Sequence, residues 1–309
     1  MNEPNLRVNL GGVELKNPVL AASGPFGYGH EYGEIINFNA LGGIIVKGIS
    51  LKPWAGNPPP RLAESAAGLL NAIGLQNPGL EHFLNVDLPA LRKTASRIIV
   101  NIVGCDSEEY AAVASGLDQA SGVDGVEVNI SCPNIKAGGL AFGTDPDVTY
   151  RVVDAVRRRT NLPLLVKLSP NITDITTTAR AAAEAGADAL SLINTLGGML
   201  IDIEKKKPVL GNTFGGLSGP AVLPVALKMV WQTAEAVDLP LLGMGGIASA
   251  SDALQFILAG ARAVAVGSGV FYNPQLPEEV VKGISEYMKK HQVNSLDQLE
   301  GAARKGEKK

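Results

Sequence analysis

The stretch VEVNISCPN, Val126 to Asn134, carries an alternating apolar run into a thiol flanked by a proline and amide side chains. A thiol with an unperturbed pKa of about 8.5 can serve as a general base once a closed site surrounds it. The glycine-bearing segment IKAGGLAFG that follows is suited to act as a hinged lid. Cys132 is therefore a candidate general base, whereas Cys105 reads as a small buried hydrophobe. His30, His82 and His291 lie away from the strand ends, which argues against a Cys–His hydrolase.

Other polar residues recur at the ends of apolar runs. Asn71, Asn101, Asn129 and Asn194 each offer an acceptor oxygen and two donor hydrogens, a set that reads a flat ligand with alternating C=O and N–H groups, such as a pyrimidine or an isoalloxazine. Lys47 follows GGIIV and Lys167 follows LLV, placing two ammonium groups where an anionic ligand edge would meet them. Gly245-Gly246 and Gly267-Ser268 end two further runs and open onto helices, where backbone N–H groups and the helix dipole favour a phosphate. One phosphate and a flat polar ring describe FMN. GMGGIA also satisfies a dinucleotide fingerprint, but no acidic residue ends the next strand, so it reads as a phosphate loop.

These residues need a scaffold that gathers strand ends. Eight runs qualify: GGIIVKG, LLNAIGL, IIVNIVG, VEVNIS, LLVKLSP, LSLINT, LLGMGG and AVAVGSG, with helical patterns such as SEEYAAVASGLDQA between them. Near-continuous apolar strands separated by helices predict a parallel sheet, and eight units predict an α/β fold of the (β/α)8 TIM-barrel class, with a doubly wound open sheet as the alternative. In such a barrel the strand ends converge on one site. LRVNLGGVELKNPVLAASG predicts an N-terminal β-hairpin about Gly11-Gly12 closing the barrel bottom. The long spans 50–68, with four prolines, and 195–220 predict a small excursion over the barrel mouth.

Composition agrees with one domain over 1–309, its basic end, 301–309, expected to fray. Lys and Arg number 27 against 30 Asp and Glu, without basic–aromatic clusters, which excludes an obvious nucleic-acid surface. Two cysteines cannot build a disulfide framework, a metal site or an iron–sulfur cluster alone, and no metal site is expected. No signal-peptide pattern or membrane-length apolar run is present, so the expected location is cytoplasmic.

With VKG, GNPPPR, NAIGLQNPG, NISCPN, GGLAFGTDP, VKLSPN, INT, GGLSGP and GMGGI all in place, the chain resembles the dihydroorotate dehydrogenase family, in particular its NAD-linked class 1B branch. The resemblance implies oxidation of dihydroorotate to orotate, with Cys132 taking the C5 proton while the C6 hydrogen passes to FMN. It implies a substrate site of Lys47, Asn71, Ala72, Ile73, Gly74, Leu75, Asn129, Asn134, Asn194 and Thr195. For FMN it implies Ser23, Lys47, Gly48, Asn101, Asn129, Lys167, Ile193, Gly219, Gly245, Gly246, Gly267 and Ser268. It also implies a partner subunit carrying FAD and a 2Fe-2S cluster that passes electrons to NAD, in a heterotetramer built on a dimer of this chain. The rival readings are a fumarate-dependent enzyme without a partner, a dihydropyrimidine dehydrogenase type of site, and a flavin-free barrel; turnover with fumarate, the substrate that bleaches the flavin, and a colourless preparation distinguish them.

Overall fold

A computed structural model describes residues 3–29, 32, 35–130 and 142–305. Val8–Leu10 (β1) and Val13–Leu15 (β2) pair as an antiparallel hairpin about Gly11 and Gly12. Val19–Ala21 (β3) and Gly43–Ile49 (β4) enter the barrel. The chain then leaves it for Leu62–Ser65 (β5) and Gly68–Asn71 (β6), passes the short helices Leu80–His82 (α1) and Leu88–Leu91 (α2), and returns as Arg97–Ile102 (β7). Helix and strand alternate from there through Ser107–Asp118 (α3), Gly125–Asn129 (β8), Pro146–Arg157 (α4), Leu164–Lys167 (β9), Ile175–Glu184 (α5) and Ala189–Leu192 (β10). A second departure supplies Leu196–Gly198 (β11), Ile201–Asp202 (β12), Lys207–Pro208 (β13) and Gly215–Ser218 (β14). Leu223–Ala236 (α6), Leu241–Met244 (β15), Ala250–Ala259 (α7), Ala263–Val266 (β16), Leu276–Lys290 (α8) and Ala302–Lys305 (α9) follow.

Among the described residues, eight parallel strands close a barrel in the order β3-β4-β7-β8-β9-β10-β15-β16, with β16 pairing back onto β3. Both faces of these strands are covered, so β9, β10, β15 and β16 are buried along their whole length, and branched aliphatic residues fill the layers. The strand-to-helix turns end in residues that cap the next helix: Asp106, Asp145, Asp174 and Ser249 each accept a backbone N–H of the following first turn. The hairpin seals the opposite end, where Arg97 Nε donates to the Glu14 carbonyl.

Two sequence expectations change. The run at 69–75 is not a barrel strand; the barrel takes Val19–Ala21 instead, and β6 joins a separate four-stranded sheet, β11-β14-β6-β5, formed by the two excursions. Period and length could not separate the two apolar runs, because both are short and follow turn residues. The basic end also differs: Ala302–Lys305 forms α9, held by the Gly301 N–H to the Ile257 carbonyl and by Arg304 Nη1 to the Ala234 carbonyl at 2.6 Å. Residues 306–309 lie outside the described residues.

Candidate functional site

The carboxyl ends of β7, β8, β9 and β10 carry a continuous set of polar contacts. Asn194 Nδ2 donates to Asn129 Oδ1 at 3.2 Å, and Asn129 Nδ2 to Asn101 Oδ1 at 3.4 Å. Asn101 Nδ2 donates in turn to Glu127 Oε1 at 2.6 Å. Ser191 Oγ donates to the other carboxylate oxygen at 2.7 Å, and Lys167 Nζ stands 3.7 Å from Oε1. Lys167 also donates to Ser23 Oγ, at the end of β3, at 3.2 Å. The register explains the assembly, since Asn101 pairs with Glu127 and Asn129 with Lys167 on adjacent strands. Tyr110 of α3 donates its hydroxyl to the Asn129 carbonyl at 2.6 Å, fixing the strand end from outside the barrel.

Gly48 lies against this row: a Cβ there would come within 2.9 Å of Asn101 Oδ1 and 3.0 Å of Val103 Cγ1. Beside it, half-buried Lys47 faces a cavity of about 390 Å³ lined also by Tyr28, Trp54, Gln76, Asn77, Pro78, His82 and Asp87. His82, which the sequence pattern set apart from the site, therefore shares a cavity with Lys47.

The sheet over the mouth brings Asn71 to the same region although it ends no barrel strand. Asn71 Nδ2 donates to the Gly216 carbonyl, and a Cβ on Gly216 would strike the Thr195 side chain. Thr195 is braced by Asn171, whose Nδ2 donates to its carbonyl at 3.1 Å. The segment Ala72–Leu75 is tied to the proline-rich loop: Ala72 N–H donates to the Arg61 carbonyl, and Asn57 donates to the carbonyls of Ala72 and Ile73. Arg61 closes the loop on itself, its guanidinium donating to the carbonyls of Asn57 and Ala55 and to Gln76 Oε1. Gly219, just past β14, rests on Gly68, whose Cα a Cβ would approach to 2.6 Å.

At the last two strand ends the backbone turns sharply. Ile193 N–H donates to the Met244 carbonyl, drawing Ile193 beside Gly245. Gly246 has φ +80° and lies against the start of α6, where a Cβ would come 2.8 Å from the Leu223 nitrogen, so no other residue fits this turn. A Cβ on Gly267 would meet only Ala22 Cβ within 4 Å, at 3.8 Å, and one on Gly24 would meet nothing. Open space thus lies beside the ends of β3 and β16, with Ser268 buried next to it.

The structure therefore joins Ser23, Gly48, Asn101, Asn129, Lys167 and Asn194 through direct contacts, and Asn71 to Thr195 through Gly216. Cys132 and Asn134 lie outside the described residues. Sequence reasoning missed Glu127, Ser191, Asn171 and Tyr110; the signal for Glu127 was a carboxylate inside an apolar run. Among the described residues no cluster of His, Cys, Asp and Glu could hold a metal, and no helix is long and apolar enough to cross a membrane.

A closed parallel barrel with ammonium groups, a row of amides and glycine turns at its strand ends defines a TIM barrel equipped for a flat, polar, anionic ligand. The chain belongs to the dihydroorotate dehydrogenase family, whose model, described as "Dihydroorotate dehydrogenase", matches residues 5–288. Curated relatives align nearly end to end. One from Alkaliphilus metalliredigens is 53% identical over 302 residues, covering 98% of this chain and 100% of its own. One from Pelobacter propionicus is 54% identical over 300 residues (97% and 99%), and one from Desulforudis audaxviator 55% over 296 (96% of each). All three are named dihydroorotate dehydrogenase B (NAD(+)), catalytic subunit.

Proposed function

We propose that this chain oxidises dihydroorotate to orotate in pyrimidine biosynthesis, using bound FMN, and passes the electrons to NAD through a partner subunit. The observation that carries the reading is the row Asn101–Asn129–Asn194 beside buried Lys167, a donor set matched to a flat ring of carbonyls and amides. The names of its full-length relatives support the substrate and the final acceptor.

The residues present fit FMN. An almost fully buried ammonium, Lys167, suits the anionic edge of a reduced ring, and the open space beside Gly24 and Gly267 lies at the strand ends where a phosphate would be held. In this assignment Ser23, Lys47, Gly48, Asn101, Asn129, Lys167 and Ile193 hold the ring, and Gly219, Gly245, Gly246, Gly267 and Ser268 the phosphate side. When bound, FMN supplies the two-electron acceptor.

The chain's own residues do the rest. Cys132 as thiolate takes the C5 proton of the substrate. Lys47, with Asn71 and the backbone of 72–75, binds the carboxylate; Asn129, Asn134, Asn194 and Thr195 hold the ring amides. The Arg61 clasp and the mouth sheet tie Asn71 and Ala72–Leu75 to the proline-rich loop and to β14. The term catalytic subunit in the relatives' names supports a second subunit here, to which we assign FAD and a 2Fe-2S cluster, two cysteines being too few for that cluster in this sequence. The assembly is a heterotetramer on a dimer of this chain, with the cytoplasm as its compartment.

The test is the visible spectrum of the purified chain before and after anaerobic addition of dihydroorotate. A flavin spectrum that bleaches is the expected result. A flavin that stays oxidised overturns the substrate, and a colourless protein that added FMN does not restore overturns the cofactor.

A further inference from the structure

The barrel interior holds one acidic side chain to which the chemistry above gives no task. Glu127 is 0% exposed, midway along β8, and both its oxygens are engaged: Oε1 with Asn101 and Lys167, Oε2 with Ser191. Burying a carboxylate is costly, and an apolar residue of similar volume would serve packing as well or better. A charge here is explained by what it does to its neighbours.

An ionised carboxylate can only accept. Asn101 must therefore turn its NH2 toward Glu127, which leaves its oxygen for Asn129; Asn129 is then turned the same way and offers its oxygen to Asn194. Each donor in the row points back toward the carboxylate, so one residue fixes the orientation of three amides. The same carboxylate faces the ammonium of Lys167 at 3.7 Å.

We infer that Glu127 is a positioning residue of the ligand site: it holds the Lys167 ammonium in place beside Ser23, sets the direction of the Asn101–Asn129–Asn194 row, and offsets the positive charge presented to the ring. The inference rests on the proposal that Lys167 meets the flavin. Among the described barrel-strand residues the other ionisable side chains are Lys47, at the end of β4, and Arg97, which pairs with Asp124 at the opposite end of the barrel.

The experiment is the flavin reduction potential of wild type, Glu127→Gln and Glu127→Asp between pH 6 and 9, with FMN affinity measured on each apoprotein. Glutamine keeps the shape and removes the charge; its oxygen can still accept from Asn101, and its NH2 can donate to the Ser191 hydroxyl, which accepts as well as donates. With the positive charge of Lys167 uncompensated, the Glu127→Gln potential is expected to rise by about tenfold in the reduced-to-oxidised ratio, or ~30 mV for two electrons. Glu127→Asp restores the wild-type profile. Coincident curves for wild type and Glu127→Gln overturn the inference. Lys167→Met is the control: if it changes neither FMN affinity nor potential, the placement of Lys167 against the flavin is wrong, a failure distinct from that of Glu127.

Discussion

Lys167 and Glu127 form an ion pair almost wholly withdrawn from solvent, with side-chain exposures of 8% and 0%. Breaking such a pair from one side leaves an uncompensated buried charge, at a cost of about 3–5 kcal/mol, whereas removing both charges together costs far less. Lys167→Met should therefore melt well below wild type, and the double variant Lys167→Met/Glu127→Gln should recover much of the loss; additive losses in thermal melts would mean the two charges do not interact. Cys132 carries a prediction of another kind. Cys132→Ser should slow flavin reduction by orders of magnitude at neutral pH while orotate still binds, and in the wild-type chain the rate should climb with pH through an apparent pKa of about 8 to 9. A stopped-flow rate unchanged by the substitution would remove the thiol from the mechanism. Residues of this site were legible in the sequence where a polar group ends an apolar run, as at Lys167, Asn101, Asn129 and Asn194. Glu127 was not, because the alternation Val-Glu-Val-Asn reads as one buried and one solvated face, and only barrel closure turns the second face inward.

At the scale of elements, the GNPPPR loop acts as a clasp. Arg61 spends its guanidinium on three partners between residues 55 and 76, and Gly74, at φ +72°, lies so close to Asn57 that a Cβ would come within 2.5 Å of its backbone nitrogen. Arg61→Ala should cost roughly 1–3 kcal/mol in stability, and by loosening Ala72–Leu75 should raise KM for dihydroorotate more than it lowers kcat. Steady-state kinetics showing unchanged KM would separate the clasp from substrate binding. The α3–α4 side has an acid-sensitive fastening. Hydrogen bonds from the Thr160 hydroxyl and the Asn161 N–H hold the Asp118 carboxyl below its ordinary range. A depressed folded-state pKa contributes stability above the unfolded value that is lost as pH falls through the folded one. Asp118→Asn should therefore narrow the stability difference between neutral and strongly acidic pH, measured by denaturant titration. The excursions were legible as long, glycine- and proline-rich spans, but their pairing with each other was not, since strand partners 145 residues apart leave no local trace.

Over the whole molecule, the barrel closes on itself and leaves no free edge among its eight strands, so assembly depends on loops, helices and the smaller sheet. Mixing this chain with the partner subunit proposed above should give a heterotetramer by light scattering and NAD-dependent turnover; full NAD turnover by the chain alone would overturn the need for a partner.

The mouth sheet has one more consequence, in the order of events rather than in contacts. Its β6–β14 ladder joins Asn71 to Gly216 across four intervening barrel strands, so it can zip only after the barrel has brought its ends together. Formed last and resting on a small separate apolar cluster of Leu70, Ala72 and Leu210, it should also be the first part to open. Amides of Leu69–Asn71 and 216–218 should then exchange with deuterium faster than those of the barrel strands, and a bound ring beneath them should slow that exchange far more than it slows the barrel's. Ligand occupancy would be written first into the local opening of this sheet, long before it changed the unfolding of the whole chain.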